Sequence, residues 1–316
     1  MQRREFLAFS LALAAGEGSA RAEPRPPVVG FINDTGVTGG APVISILRGL
    51  GRQGFISNQT FLMMQRPMEK YDDAASAAAE LVKRGVDALV ALESPNTALA
   101  VRDAAKNLPV VFAGAYDAQA LGLVENLDKP GGNITGVMFS APTVVEKRAA
   151  LAAALAGPGG KIGLLVNPAN KASAAQRAAY GAAVKSLAVF EAGSLAEIDA
   201  AFARAAGVGA MIIADDPWIS RNADATIAAA ARARIAALHA TRDEVAAGGL
   251  LCHGDVRTDQ LFKLGETVGR VLKGEKPAAI AVSRADKFAT LVNAKTAAAL
   301  GFDIVNPAFA GADLVR

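Results

Sequence analysis

The sequence predicts an α/β protein of two lobes, each a parallel sheet flanked by helices. Three features carry this reading. Short apolar, β-branched runs alternate with helical stretches from residue 27 onward. The alternation restarts after Gly157-Pro158-Gly159-Gly160. Alanine-rich stretches at 74–79 and 228–233 suit helices packed closely on a flat surface.

The first unit begins with residues 27–32 (PVVGFI), a strand by its β-branched content and by the turn signals Asn33-Asp34-Thr35-Gly36 after it. Ile44, Leu47 and Leu50 give 42–51 a helical spacing. A second strand follows at 61–64. The helix predicted over 71–84 turns Leu81 and Val82 inward and stops at Gly85. The run 87–92 (DALVAL) is a third strand, 96–106 a helix and 109–113 (PVVFA) a fourth strand. This βαβαβαβ order implies a parallel sheet covered on both faces.

The second unit repeats the order. Strands are predicted at 161–166, 187–191, 209–214 and 235–240, and helices at 173–187, 195–206 and 222–234. The Gly/Pro stretch 157–160 between the units reads as a domain boundary. Later elements, a helix over 259–272, a strand over 288–292 and a helix over 294–300, have no sheet of their own. They must return to the earlier lobes, so the chain crosses between lobes more than once.

Residues 1–22 have the parts of an export signal: Arg3-Arg4, an apolar run over 6–15, and Ala20-Arg21-Ala22 before Glu23. Paired arginines favour the twin-arginine route, and about ten apolar residues are too few to span a bilayer, which needs roughly 20. The expectation is a soluble, exported, periplasmic protein. That location removes functions that depend on nucleotide pools or a chromosome. Net charge is only +3, without the clustered Lys/Arg a nucleic-acid partner would need. The lone Cys252 allows no internal disulfide and is expected to be buried. His239 and His253 make no metal-ligand pattern, and His239 reads as a core side chain. Neither GxGxxG after the first strand nor GxSxG is present. No cofactor, metal or catalytic residue is assigned.

Two parallel-sheet lobes form a cleft at the carboxyl ends of their strands. The loops expected there supply the candidate ligand-binding residues Asn33, Asp34, Ser94, Asn96, Thr97, Tyr116, Asp117, Asn167, Asp216, Trp218 and His253. Ser94, Asn96 and Thr97 start a helix. They either cap it or hold an anion such as a carboxylate on its free N–H groups. Asn167, Asn170 and Ser173 repeat that arrangement, with capping favoured. Asp117 offers a partner for a ligand ammonium. Asp215-Asp216-Pro217-Trp218 places two carboxylates and the only tryptophan after a strand, and a rigid ring suits planar or cationic groups.

Four blocks occur in the order of a known family. Residues 121–137 (LGLVENLDKPGGNITGV) resemble the PGGN-[IV]-TGV block of the ABC-transporter substrate-binding proteins of the tryptophan/tyrosine-type group. Ala246-Ala247-Gly248-Gly249-Leu250 is similar to that family's AGGL segment. Leu272-Lys273-Gly274-Glu275-Lys276-Pro277 is similar to its KGxKP turn, and residues 287–301 to its KFxxxxNxKTAxxLG tail. The resemblance covers nearly all of the chain after residue 22. It implies the type I periplasmic binding protein fold with three crossover segments. The expected lobes are then 28–138 plus 254–282 and 139–253 plus 283–316. The implied function is capture of a small organic ligand, amino-acid-like or carboxylate, by a monomer that partners an inner-membrane ABC permease. Two alternatives keep the same fold: an exported enzyme using Asp215, Asp216 or His253, and a ligand-sensing module for a membrane receptor. Two departures border the expected cleft. Asp117-Ala118-Gln119 replaces Asp-Pro-Val, and Cys252-His253-Gly254 replaces Ser-Tyr-Gly, so imidazole stands in for an aromatic platform.

Exported protein is expected to begin at Glu23. Edman sequencing of the periplasmic fraction checks this, and a mature chain that retains Arg3-Arg4 rules it out.

Overall fold

A computed structural model describes residues 25–33, 40–68 and 70–315. The export segment, Asp34 and the turn residues Thr35 and Gly36 lie outside the described residues. The first half runs β1 (Val28–Asn33), α1 (Gly40–Arg52), β2 (Leu62–Pro67), α2 (Ala74–Lys83), β3 (Ala88–Glu93), α3 (Pro95–Ala104), β4 (Val110–Gly114) and β5 (Ile134–Met138). The second continues with α4 (Pro142–Ala156), β6 (Lys161–Val166), α5 (Ser173–Ala183), β7 (Leu187–Glu191), α6 (Leu195–Arg204) and β8 (Val208–Ile213). It ends with α7 (Pro217–Arg221), α8 (Ala223–Ala233), β9 (Ala236–His239), α9 (Arg242–Ala246) and β10 (Leu251–Asp255). The chain then adds α10 (Arg257–Leu272), β11 (Ser283–Arg284), β12 (Phe288–Asn293), α11 (Ala294–Ala299) and β13 (Asp313–Val315).

Two sheets result. The first has strand order β11-β5-β4-β3-β1-β2 and is parallel throughout. β1, β4 and β5 are buried along their whole length, as expected for strands covered on both faces. The second has order β13-β12-β10-β9-β8-β6-β7. It is parallel from β7 to β10, but β12 runs antiparallel to β10. The reason lies in the connections. β10 leaves the second sheet at Asp255, and β12 re-enters beside it at Phe288, directly opposite Asp255. A strand that enters where its neighbour leaves must run the other way.

The chain passes between the sheets three times, after β5, after β10 and after β11. These passages are tied side by side. The Ala285 amide donates to Met138 O at 2.9 Å, and the Val256 amide to Lys287 O at 3.1 Å. Asp255 belongs to the second sheet and Ser283–Arg284 to the first, so two of the passages fall slightly later than the sequence boundaries at 254 and 283.

The stretch Gly157–Gly160 is not a lobe boundary. Gly157 (φ 75°) caps α4, and Gly159 (φ 73°) turns the chain into β6, all within the second lobe. Helix-stop chemistry produced the composition shift read as a linker. The lobe passage sits before α4, a helix the sequence pattern did not reveal. Its alanines lie on every side, and it lacks the one-sided apolar stripe that marks a surface helix.

α10, sent back from the second lobe, packs against α1 in the first. The crossing is backbone to backbone. A Cβ on Gly49 would collide with the Phe262 carbonyl oxygen, and one on Gly265 with that of Ile46. Leu261, Leu264 and Val268 of α10 then reach the core formed by Phe31, Leu50, Val90 and Val111. Gly265→Val is expected to lower stability by at least about 2–3 kcal/mol, because overpacking forces the two backbones apart. Thermal unfolding followed by circular dichroism checks this, and an unchanged midpoint would mean the helices do not cross this closely.

Candidate functional site

Between the lobes lies a cavity of about 390 Å³, within the usual range for small-molecule sites of roughly 300–1,000 Å³. Its two walls differ in chemistry. The first lobe contributes an apolar wall of Phe31, Ile46, Met63, Leu92 and Tyr116, joined by Leu261 of α10. The second contributes Asn170, Asp215, Asp216, Ser220, Asp243 and Glu244. Gly114 makes the Tyr116 placement possible, since a Cβ there would run into the Tyr116 ring.

At the floor, Glu93 closes β3 with φ 71°, and the Ser94 amide donates back to Leu92 O at 2.9 Å. This is a γ-turn with positive φ, a costly conformation for a residue with a side chain. Its carboxylate meets Arg257, whose Nη1 donates to both Glu93 oxygens at 3.0 and 2.8 Å. The same guanidinium donates to Asp255 through Nε at 3.1 Å and Nη2 at 3.3 Å. It also lies 4.2 Å from the centre of the Phe139 ring. Burial works against this charge, but Glu93 and Asp255 outweigh it and raise the Arg257 pKa further above its ordinary value.

A second arginine, Arg148 of α4, stands behind Asp215 on the other wall. Its side chain is 2% exposed. Nη1 donates to Asp215 Oδ2 at 2.7 Å, Nη2 to Ala240 O at 2.9 Å and Nε to His253 O at 2.7 Å. Burial again opposes the charge, and Asp215 more than compensates, so the pKa is raised. Asp215 thus presents its carboxylate to the cavity, held from behind.

Glu244 closes the same wall. Burial alone would raise its pKa, but His239, the Ser220 hydroxyl and the Ala240 amide outweigh that and hold it below the usual carboxylate range. The cations lining the cavity are Arg221 and Arg257.

The lobes also meet at the cavity rim. Tyr71 of the first lobe donates its hydroxyl to Asp216 Oδ2 at 2.7 Å. Asn96 donates to Ala169 O at 2.8 Å and accepts from the Lys171 amide at 2.9 Å. Arg221 Nη1 donates to Met68 O at 3.2 Å. These contacts span the mouth and describe a closed arrangement.

Of the residues singled out from sequence, Asn33, Tyr116 and Asp216 line the cavity together. Asp34 lies outside the described residues. Ser94 is a helix cap, accepting from the Asn96 amide at 3.1 Å, and Asn96 is spent on the opposite lobe. Thr97 is fully buried and does not line the cavity. The helix start therefore does not present an anion site there; only Pro95 of that segment reaches the cavity. Asp117 accepts from the amides of Gln119 and Ala120, each at 3.0 Å, and is exposed on its own turn, away from the cavity.

Asn167 and Asn170 both serve Asp216, donating at 3.3 and 2.8 Å, and the Ile219 amide adds a bond at 2.7 Å. With Tyr71 that makes four donors on one carboxylate, so Asp216 is a structural hub of α7 rather than a free ligand partner. Trp218 turns away from the cavity into the outer core of the second lobe. In the short helix α7 the cavity takes Pro217, Ser220 and Arg221, which share one face by their spacing, and Trp218 falls on another. His253 also leaves the cleft. Its Nδ1 lies 2.9 Å from Thr290 Oγ1, and its ring packs near Phe288 of β12. The sequence reading did not single out Arg257 or Arg148, put Glu93 in a cleft loop without a role, and found only Tyr116 of the apolar wall. Glu93 and Arg257 are far apart in the chain, and no local pattern links them. Cys252 is fully buried, and burial raises its thiol pKa to about 12.

Comparison with known proteins gives one family match and several structural ones. The family described as ABC transporter substrate binding protein matches residues 34–314. A curated relative, the tyrosine-binding protein of Clostridioides difficile (strain R20291), is 26% identical over 230 residues, 71% of this chain and 66% of the relative. The chain thus spans just under two thirds of that relative's length. Among solved structures, a conserved domain protein from Vibrio cholerae O1 biovar eltor superposes with TM-score 0.83 at 22% identity, covering 92% of this chain and 100% of that one. An ABC domain in complex with L-Trp from Streptococcus pneumonia gives 0.81 at 23% identity over 92% and 99%. The ligand-free, open form of a substrate binding protein from Clostridium difficile gives 0.64 at 21% identity over 92% and 99%. These likenesses establish the two-lobed fold.

The site analysis makes a pH prediction. Burial, with the nearby Arg148 and Lys147 charges, lowers the His253 pKa from 6.5 to about 4. Between those values the unfolded chain binds more protons than the folded one. Stability is therefore full above about pH 6.5 and falls as pH drops toward 4. For a half-buried ring the loss is about 1–2 kcal/mol once solvent screening is allowed for. Melting curves of His253→Asn should lose this part of the slope. An identical slope in variant and wild type would show that His253 does not carry it.

Proposed function

Because the chain belongs to the ABC transporter substrate binding protein family, we propose that it captures an aromatic amino acid between its lobes and delivers it to a membrane permease. Family membership makes it a binding component and not an enzyme. One observation carries the ligand class: an interlobe cavity of about 390 Å³ with an apolar wall on one lobe and carboxylates on the other. Phe31, Ile46, Met63 and Leu92 suit an apolar side chain. Asp215, held from behind by Arg148, suits an ammonium, and Arg257 or Arg221 a carboxylate. The relatives named for tyrosine and solved with L-Trp support the same class.

Closure in this reading is a hinge motion about the three passages, with Tyr71, Asn96 and Arg221 engaging the opposite lobe at its end. Ligand contacts made only in the closed form supply the bias. The protein acts as a monomer after export, residues 1–22 having been removed. Among the described residues no helix is long and apolar enough to cross a membrane.

Calorimetry with L-Trp, L-Tyr and L-Phe should give about one site per chain with micromolar or tighter affinity, roughly −8 kcal/mol or better. Small-angle scattering should show a smaller radius with ligand. Met63→Glu places a charge on the apolar wall at a half-buried position and should weaken aromatic ligands more than tenfold with the unliganded melting temperature nearly unchanged. Absence of heat with all three amino acids, or full binding by Met63→Glu, would overturn the assignment.

A further inference from the structure

We propose that the cleft selects the positive end of its ligand, so that an aromatic amine without a carboxylate is bound as well as the amino acid. This selection rests on the aromatic-ligand reading, in which the apolar wall holds the ring, and adds that the polar wall reads net charge. Six carboxylates line the cavity, against the two guanidiniums of Arg221 and Arg257. Two of the six, Asp216 and Glu244, are only 3% and 4% exposed. The donors on Asp216 are all neutral: the amides of Asn167, Asn170 and Ile219 and the Tyr71 hydroxyl. Glu244 accepts from the Ser220 hydroxyl and the Ala240 amide. Despite burial, these bonds and His239 keep the Glu244 pKa low, so the group is ionised at neutral pH. Neither carboxylate has an arginine or lysine partner among the described residues. His239 stands behind Glu244, Nδ1 3.4 Å from Oε2, and does not line the cleft. Even a charged imidazole there leaves the acids in excess. Hydrogen bonds from neutral donors satisfy the lone pairs of a buried carboxylate but do not cancel its charge. A cation in the cavity does.

The positive groups around the cavity are already engaged. Arg257 serves two carboxylates, Glu93 and Asp255, so that cluster as a whole is negative. Arg148 and Asp215 cancel one another. Arg221 is exposed and spans the mouth to Met68 O at 3.2 Å. The start of α3 offers no substitute, because Ser94 caps it and Thr97 is buried away from the cavity. A ligand carboxylate is therefore tolerated at the rim beside Arg221, where water and salt screen the contact. A ligand ammonium instead meets the field of the buried carboxylates, which the low-dielectric walls of the cleft concentrate.

Four ligands built on one phenyl ring separate charge from bulk: L-Phe, phenethylamine, 2-phenylethanol and 3-phenylpropionate, each titrated calorimetrically at neutral pH. Phenethylamine should bind within about tenfold of L-Phe, or tighter. The alcohol and the acid should each be weaker than the amine by about tenfold or more, the acid most, because like charges brought together in a site repel. Glu93→Gln removes one negative charge at unchanged length while Arg257 keeps Asp255, and it should narrow the gap between amine and acid about tenfold. If that variant does not fold, the wild-type series decides alone. An amine more than about tenfold weaker than L-Phe, an alcohol or acid within about tenfold of the amine, or an unchanged gap in folded Glu93→Gln overturns the charge selection and leaves the amino-acid reading standing. Heat from the amine without heat from L-Phe supports the charge selection and removes the amino acid as ligand. No heat from any of the four overturns both.

Discussion

The arrangement of the two lobes depends on one guanidinium. Arg257 opens α10 just after the chain leaves the second sheet, and it joins three parts of the molecule. It holds Glu93 from the end of β3, Asp255 from the end of β10, and the ring of Phe139 from the first passage between lobes. Arginine suits this task because its planar fork serves two carboxylates while its face stacks on an aromatic ring. Lysine has neither geometry. The cluster is still 28% exposed at Arg257, on the side of the cavity, so it is both the hinge contact and part of the ligand floor. Breaking one partner of such a pair commonly costs about 3–5 kcal/mol, far more than an exposed ion pair contributes.

The strain at Glu93 follows from this constraint. A parallel strand ends by sending its last side chains alternately up and down, and a smooth exit into α3 would not aim a carboxylate at α10. The γ-turn reverses the backbone at one residue, and the Arg257 contacts outweigh its cost. On the opposite wall Arg148 plays a parallel part. It is buried in α4 and reaches the residues just after β8 and β9 and the middle of β10 through Asp215, Ala240 and His253. Each wall of the cleft therefore has an arginine that holds a strand-end carboxylate in place. Charges fixed in this way can face a ligand without reorganising when it arrives.

The first lobe would be incomplete without the chain's return. α10 fills its core from the far side, and the Gly49–Gly265 crossing lets it approach α1 at backbone distance. Return through the same set of passages also explains the antiparallel β12. Its first residue is registered against the last residue of β10, beside the hinge. The three passages are hydrogen-bonded neighbours, so the lobes cannot separate without turning about them.

Most strands and most helices were legible in the sequence because their signals are local; β5, β10 and the short edge strands β11 and β13 were not read. Continuous β-branched runs such as Val28–Asn33 and Val110–Gly114 are buried on both faces, and that alone makes them apolar throughout. α4 was not legible, since its alanines give no apolar face, and Gly157–Gly160 misled as a linker when it is a helix stop. The cleft was legible only as a set of loops. Which side chain of a loop enters the cavity is decided by rotation about a short helix, as with Trp218, or by whether a cap or a neighbouring strand claims it first, as with Ser94 and His253. Composition and periodicity by themselves determined a two-lobed α/β protein, because burial leaves its pattern on consecutive residues. The tertiary structure alone decided that Glu93, Arg148 and Arg257 organise the site, because charge pairing acts between groups brought together only when distant segments pack.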